Sequence, residues 1–153
     1  MMSKVRVFLR YWLPVCLWMA VIFRASGDSG SFSHSSRIIG PLVRFFFPGI
    51  SDAGLHDVIF AVRKGAHLTE YAILAVLLYR AIGRDGWTKS PGSVRTIFRV
   101  LLVVALYAAS DEWHQSFVPN REASVVDVLI DTVGGGAGLS LVWAATRPKQ
   151  RRT

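Results

Sequence analysis

The sequence predicts an all-α fold: an integral membrane four-helix bundle with a short interfacial helix in the first extracytoplasmic loop. Three observations predict it. Hydrophobic residues make up 52% of the 153-residue chain. They gather into four segments that approach the length of a bilayer crossing, leaving little for a separate water-soluble core. The 18 basic residues cluster at the ends of those segments, and ionisable residues recur inside them at helical spacing. Residues 1–153 read as a single domain with spans at approximately 7–24, 64–82, 97–117 and 125–146.

The first apolar segment, residues 11–23, follows Lys4, Arg6 and Arg10. Its flanks look like the start of a signal peptide, but Arg24-Ala25-Ser26 is a poor cleavage site and further spans follow, so an uncleaved anchor is expected. Residues 7–9 bring its length near the roughly 20 residues that a span needs, and Pro14 predicts a kink. Cys16, the one cysteine, precludes an intramolecular disulfide and reads as a small apolar side chain facing lipid or a neighbouring helix.

A polar stretch, Gly27-Asp28-Ser29-Gly30-Ser31, then gives way to apolar residues 38–47. Arg37 and Arg44, seven residues apart, share one helical face, which predicts a short helix lying in the membrane interface. Periodicity alone fits a packed extracytoplasmic loop equally well. The second span, 66–82, has an amphipathic lead-in: Leu55, Val58, Ile59 and Val62 repeat at i, i+3, i+4, i+7, with Ser51 placed to cap it. The third, from Ile97 toward Phe117, is stopped by Pro119. The fourth, 125–145, ends at Arg147 and Pro148.

Charge placement gives the orientation. Of the 18 basic residues, 12 fall at the N-terminus, around the loop after the second span and in the tail, accompanied there by one acid, Asp85. The other six face nine acids. The positive-inside rule therefore puts both termini in the cytoplasm of a multi-pass cell-membrane protein. The net charge of +8 is thus a topology signal. No run interleaves basic and aromatic residues as a nucleic-acid surface requires, so nucleic acid is not an expected partner. All four histidines and nine of the ten carboxylates fall on the outer side.

Three segments carry polar residues at membrane depth on that side. Lys64, His67 and Tyr71 share a face of the second span, with Glu70 beside them. Asp111, Glu112 and Gln115 close the third, followed by Arg121. Asp127 and Asp131 lie one turn apart on the fourth. From Ile97 to Asp111 is about 21 Å at a helical rise of 1.5 Å, short of the ~30 Å hydrocarbon thickness. The helix must run on to about Phe117, which places Asp111 within the outer leaflet. Asp131 is about 9 Å below Val125 by the same rise. A charge at such depth costs about 2.5–3.5 kcal/mol and normally faces the bundle.

Each residue also has a structural reading. Ser124-x-x-Asp127 fits a capping box, His67 fits a hydrogen-bonded packing residue, and Arg121 could neutralise Asp111 or Glu112 as a registering ion pair. Taken together, the group exceeds what packing needs and marks a functional site. Gly134 and Gly138 continue the face of Asp127 and Asp131 as a Gly-x-x-x-Gly pair, which lets a neighbouring helix approach closely.

Lys64-x-x-His67-x-x-Glu70-Tyr71-x-x-Leu74, then Asp111-Glu112-x-x-Gln115-x-Phe117-x-Pro119-x-Arg121-x-x-Ser124-x-x-Asp127, then a glycine-rich helix, resembles the VanZ-like family over most of the chain. Phe23-Arg24-Ala25-Ser26 ahead of the serine-rich loop is a weaker echo of the same pattern. The chain departs from it at Asp131, where the family often has asparagine. The resemblance implies a cell-envelope role: the founding member accompanies glycopeptide resistance and reduced sensitivity to teicoplanin, a lipid-bearing antibiotic. It does not extend to a mechanism, or to drug resistance for this chain.

Two function classes follow. The first is a binding module whose outward polar site holds the head group of a membrane lipid, a lipid-linked envelope precursor or a lipoglycopeptide. Lys64, Arg121 and His67 would face phosphate or carboxylate, while Asp111 and Asp131 would accept from sugar or amine. Trp113 and Phe45–Phe47 would sit at the interface. The second is a membrane enzyme using His67 with Glu70, Asp111 or Asp131 as general base and partner, or as oxygen ligands to a hard cation. No His-Glu-x-x-His or Gly-x-Ser-x-Gly motif is present. No metal ligand, cofactor or catalytic residue is assigned.

Overall fold

The computed structural model describes residues 4–26, 32–84, 93–117 and 123–146. Within them the chain is all-helical. Helix α1, Lys4–Ala25, contains one widened π-helical turn, Phe8–Trp12, immediately ahead of Leu13-Pro14. Pro14 has no N–H to donate, and its ring would collide with the Arg10 carbonyl four residues earlier. The wider turn accommodates that defect while the helix continues, which is the form taken by the bend expected at Pro14.

Helix α2, Phe32–Phe46, is the short amphipathic helix expected after the polar stretch, begun several residues earlier. Arg44 ties its C-terminal end to Asp52 at 2.5 Å. Helix α3, Asp52–Arg84, fuses the lead-in and the second apolar segment into one element of 33 residues, about 50 Å long at 1.5 Å per residue. The Ser51 hydroxyl accepts from the Gly54 N–H at 3.1 Å, so the cap read from the sequence is in place. Helix α4, Val94–Gln115, starts three residues before the expected Ile97. Ser93 supplies the reason, its hydroxyl accepting from the Thr96 N–H at 3.3 Å. Turn bonds carry the chain on to Phe117. Helix α5 runs Val125–Thr146.

Helix α5 packs most extensively on α3 and next on α4, and its glycines explain why. A Cβ at Gly134 would stand 2.5 Å from the Leu68 carbonyl oxygen, and one at Gly138 would meet the Ala72 carbonyl. A Cβ at Gly135 would lie 2.9 Å from Val104 Cγ1 of α4. Gly134 and Gly138 therefore let the α3 backbone in, and Gly135 receives α4. Tyr71, Leu74, Ala75 and Leu78 of α3 join Val100, Val104 and Ala108 of α4, Leu139 of α5, and Val15 and Ile22 of α1 in the apolar core.

Around the acidic ends of these helices the interior is polar and the exterior apolar. Asp111, Glu112, Gln115 and Asp131 are buried, whereas Leu106, Val133 and Leu141 are more than 60% exposed. Cys16 is exposed as well. Two helices, α1 and α5, are long and apolar enough to cross a membrane, each with mean hydropathy 1.6. Helices α3 and α4 fall outside that measure; both carry acids within the stretches expected to cross, Glu70 in α3 and Asp111 and Glu112 in α4.

Candidate functional site

The polar residues of α3, α4 and α5 converge, and the end of α1 joins them. Helical spacing brings Lys64, His67 and Tyr71 to the side of α3 that α5 approaches. The Lys64 ammonium donates to the Asp127 carboxylate, a pair largely sheltered from solvent. One turn deeper, His67 Nδ1 stands 3.3 Å from Asp131 Oδ1. That is ion-pair distance, but the two atoms do not align as a hydrogen bond. The Gly134 and Gly138 contacts set this separation by fixing how closely α5 lies on α3.

On α4, Asp111 Oδ2 accepts from the Ser26 hydroxyl at 2.6 Å and from Gln115 Nε2 at 3.0 Å. A carboxylate near a helix C-terminus opposes the helix dipole, and these two donors offset part of that cost. Glu112 Oε2 accepts from the Ser124 N–H at 2.7 Å, pinning the start of α5 to the end of α4. Ser124 in turn accepts, at a long 3.4 Å, from the Asp127 N–H. Half of the expected capping box is therefore present, while the Asp127 carboxylate is turned to Lys64.

Tyr71 is fully buried, and its ring lies 6.3 Å from that of Tyr107. It lies within electrostatic reach of Asp111, Asp131 and Glu70. Glu70 belongs to the same neighbourhood through His67, and its backbone carbonyl accepts from Trp18 Nε1 at 2.9 Å. Tyr107 donates to the Met19 carbonyl at 2.6 Å. These last two bonds hold α1 against α3 and α4, and Phe23 stacks on His114 at 4.1 Å.

Nine of the ten residues expected at the site thus fall in one region: Lys64, His67, Glu70, Tyr71, Asp111, Glu112, Gln115, Asp127 and Asp131. Arg121, like Pro119, lies outside the described residues. Sequence reasoning named Ser26 within the poor cleavage site and the weak Phe23–Ser26 echo of the family pattern but not as a site residue, and it missed Trp18 and Tyr107, which look like ordinary interfacial aromatics. Within the cluster several buried atoms have no hydrogen-bond partner: Tyr71 Oη, Asp111 Oδ1, Glu112 Oε1, both carboxylate oxygens of Asp131, and the Nδ1 atoms of His67 and His114. Buried polar atoms are nearly always paired, so such a concentration calls for an explanation beyond packing. Among the described residues no three His, Cys, Asp or Glu side chains converge closely enough to hold a metal ion.

This arrangement covers the motif positions from Lys64 to Asp131, and the VanZ/LLP1 family model matches residues 11–146. The chain belongs to the VanZ/LLP1 family. No curated protein and no solved structure matches it. The VanZ/LLP1 match begins within α1 and ends with α5, so it spans every helix that contributes to the cluster, Ser26 of α1 included.

Proposed function

We propose that this VanZ/LLP1 chain is a multi-pass membrane protein in which α1, α3, α4 and α5 cross the bilayer and α2 lies in its outer interface. Its outward polar cluster recognises the head group of a lipid-linked or amphiphilic cell-envelope molecule. The apolar exterior supports the first part: leucine, valine and phenylalanine face outward along α1, α3, α4 and α5, a distribution suited to lipid and not to water. Exposed Phe45, Phe46, Phe47 and Trp113 suit the aromatic belt of an interface. The excess of basic residues at the opposite ends of the helices supports cytoplasmic termini.

The single observation that carries the recognition reading is the group of unpaired carboxylate and phenol oxygens buried between α3, α4 and α5. Carboxylates inside a bundle are costly, and such groups mark ligand or ion pathways. The test is lipid mass spectrometry of the purified full-length protein beside His67→Ala and Asp131→Ala. The expected result is one amphiphile enriched over the bulk membrane and depleted in both variants. Identical lipid profiles in three folded proteins would remove the reading.

One observation favours a second reading, a membrane enzyme acting on a lipid or envelope precursor. Asp131 beside His67 Nδ1 at 3.3 Å has the form of a base with an orienting carboxylate. The two variants separate the readings. A binding module loses affinity in graded steps, whereas a catalyst keeps its substrate while turnover collapses.

A further inference from the structure

The balance of donors and acceptors inside the cluster narrows what it can hold. Asp111, Glu112 and Asp131 each keep at least one buried oxygen without a partner. The Lys64 ammonium, expected from the sequence to face a phosphate or carboxylate of the ligand, is instead bound to Asp127 of the chain itself. At the depth of Asp131 the neighbouring basic side chain is His67, whose Nδ1 stands 3.3 Å from Asp131 Oδ1. A phosphate placed there would face carboxylates with little to neutralise it.

The second observation is independent of the acids. Tyr71 is fully buried, its hydroxyl has no partner, and it stands among the fields of Asp111 and Asp131. A phenol hydroxyl both donates and accepts, so it can complete the coordination of a donor held by the two carboxylates.

We propose that the cluster takes a primary ammonium group, held by Asp131 and Asp111 with the Tyr71 hydroxyl as a third acceptor. This deepens the head-group reading above and rests on it. An ammonium brings three N–H donors and one positive charge into a site rich in unmet acceptors. Charge-assisted bonds of this kind are roughly twice as strong as neutral ones. The same chemistry is offered by an amine-bearing lipid head group and by a free soluble amine.

The test uses full-length protein in nanodiscs of equimolar phosphatidylethanolamine and phosphatidylglycerol, followed by native mass spectrometry of retained lipid. The protein should retain phosphatidylethanolamine over phosphatidylglycerol by roughly tenfold, about 1.4 kcal/mol. Asp131→Asn and Asp111→Asn should each abolish that preference, with folding checked by circular dichroism. Phosphatidylcholine, which keeps the charge but has no N–H, should be retained less. Thermal stabilisation by ethanolamine alone would assign the group to a soluble amine, and stabilisation by the lipid alone to a head group; either upholds the ammonium site. Asp131-dependent retention of phosphatidylglycerol would overturn the ammonium assignment and leave the head-group site standing. Retention that ignores both variants would overturn the two together.

Discussion

At Gly138 and Gly134 the backbone of α3 lies where a side chain would otherwise be, and this closeness sets the separation of His67 from Asp131. Even a methyl group at Gly138 must push the helices apart, and overpacking of this kind costs about 1–3 kcal/mol. Gly136 has nothing within 4 Å of its would-be Cβ. Thermal unfolding in mild detergent should therefore show Gly138→Ala clearly destabilised and Gly136→Ala unchanged or slightly stabilised, since alanine favours helix. Equal effects from both would mean that α5 does not pack on α3 through this face. The Lys64–Asp127 pair makes a second prediction at this scale. Asp127→Asn alone leaves a largely sheltered ammonium without its counter-charge, whereas the double variant with Lys64→Met removes both charges. A double-mutant cycle should give a coupling of about 0.5–3 kcal/mol, and additivity would show that the pair is not formed.

Helix α1 touches the bundle through two side-chain-to-backbone bonds, from Trp18 to the Glu70 carbonyl and from Tyr107 to the Met19 carbonyl. Trp18→Phe and Tyr107→Phe should each lower stability by about 1 kcal/mol. The pair together should loosen α1 enough to speed its release under limited proteolysis; unchanged proteolysis would contradict this docking. Much at this scale was legible in the sequence. Periodicity and caps marked the helix beginning at Val125, the lead-in from Ser51 and the amphipathic helix before Phe47. The π-helical turn was not legible, because proline signals a defect without saying whether a helix bends, breaks or widens. Spacing also told which residues share a face of one helix but not which helix that face meets. Hence Lys64 reads from the sequence as a ligand for phosphate or carboxylate although its partner is Asp127, and Ser26 is not placed at the site although it donates to Asp111. The same limit applies to Glu112, whose bond to the Ser124 N–H joins two elements that sequence treats separately.

Over the whole molecule, carboxylates and a phenol among the described residues are buried at one end of an otherwise apolar core, while leucine and phenylalanine also cover the exterior. On the proposed reading lipid surrounds the helices, and the recognition site lies at the end of the bundle that carries Asp111 and Asp131. Charge counting predicts that this end faces outward, since twelve of the 18 basic residues fall toward the other. Topology mapping by thiol labelling tests that account most directly. With Cys16 replaced by alanine, single cysteines would be placed at Gly49, in the exposed turn between α2 and α3, and at Lys89, between α3 and α4 in the chain. The account predicts that a membrane-impermeant maleimide labels position 49 in intact cells and position 89 only after permeabilisation. Labelling of position 89 from outside would contradict it, because the acidic cluster would then open toward the cytoplasm.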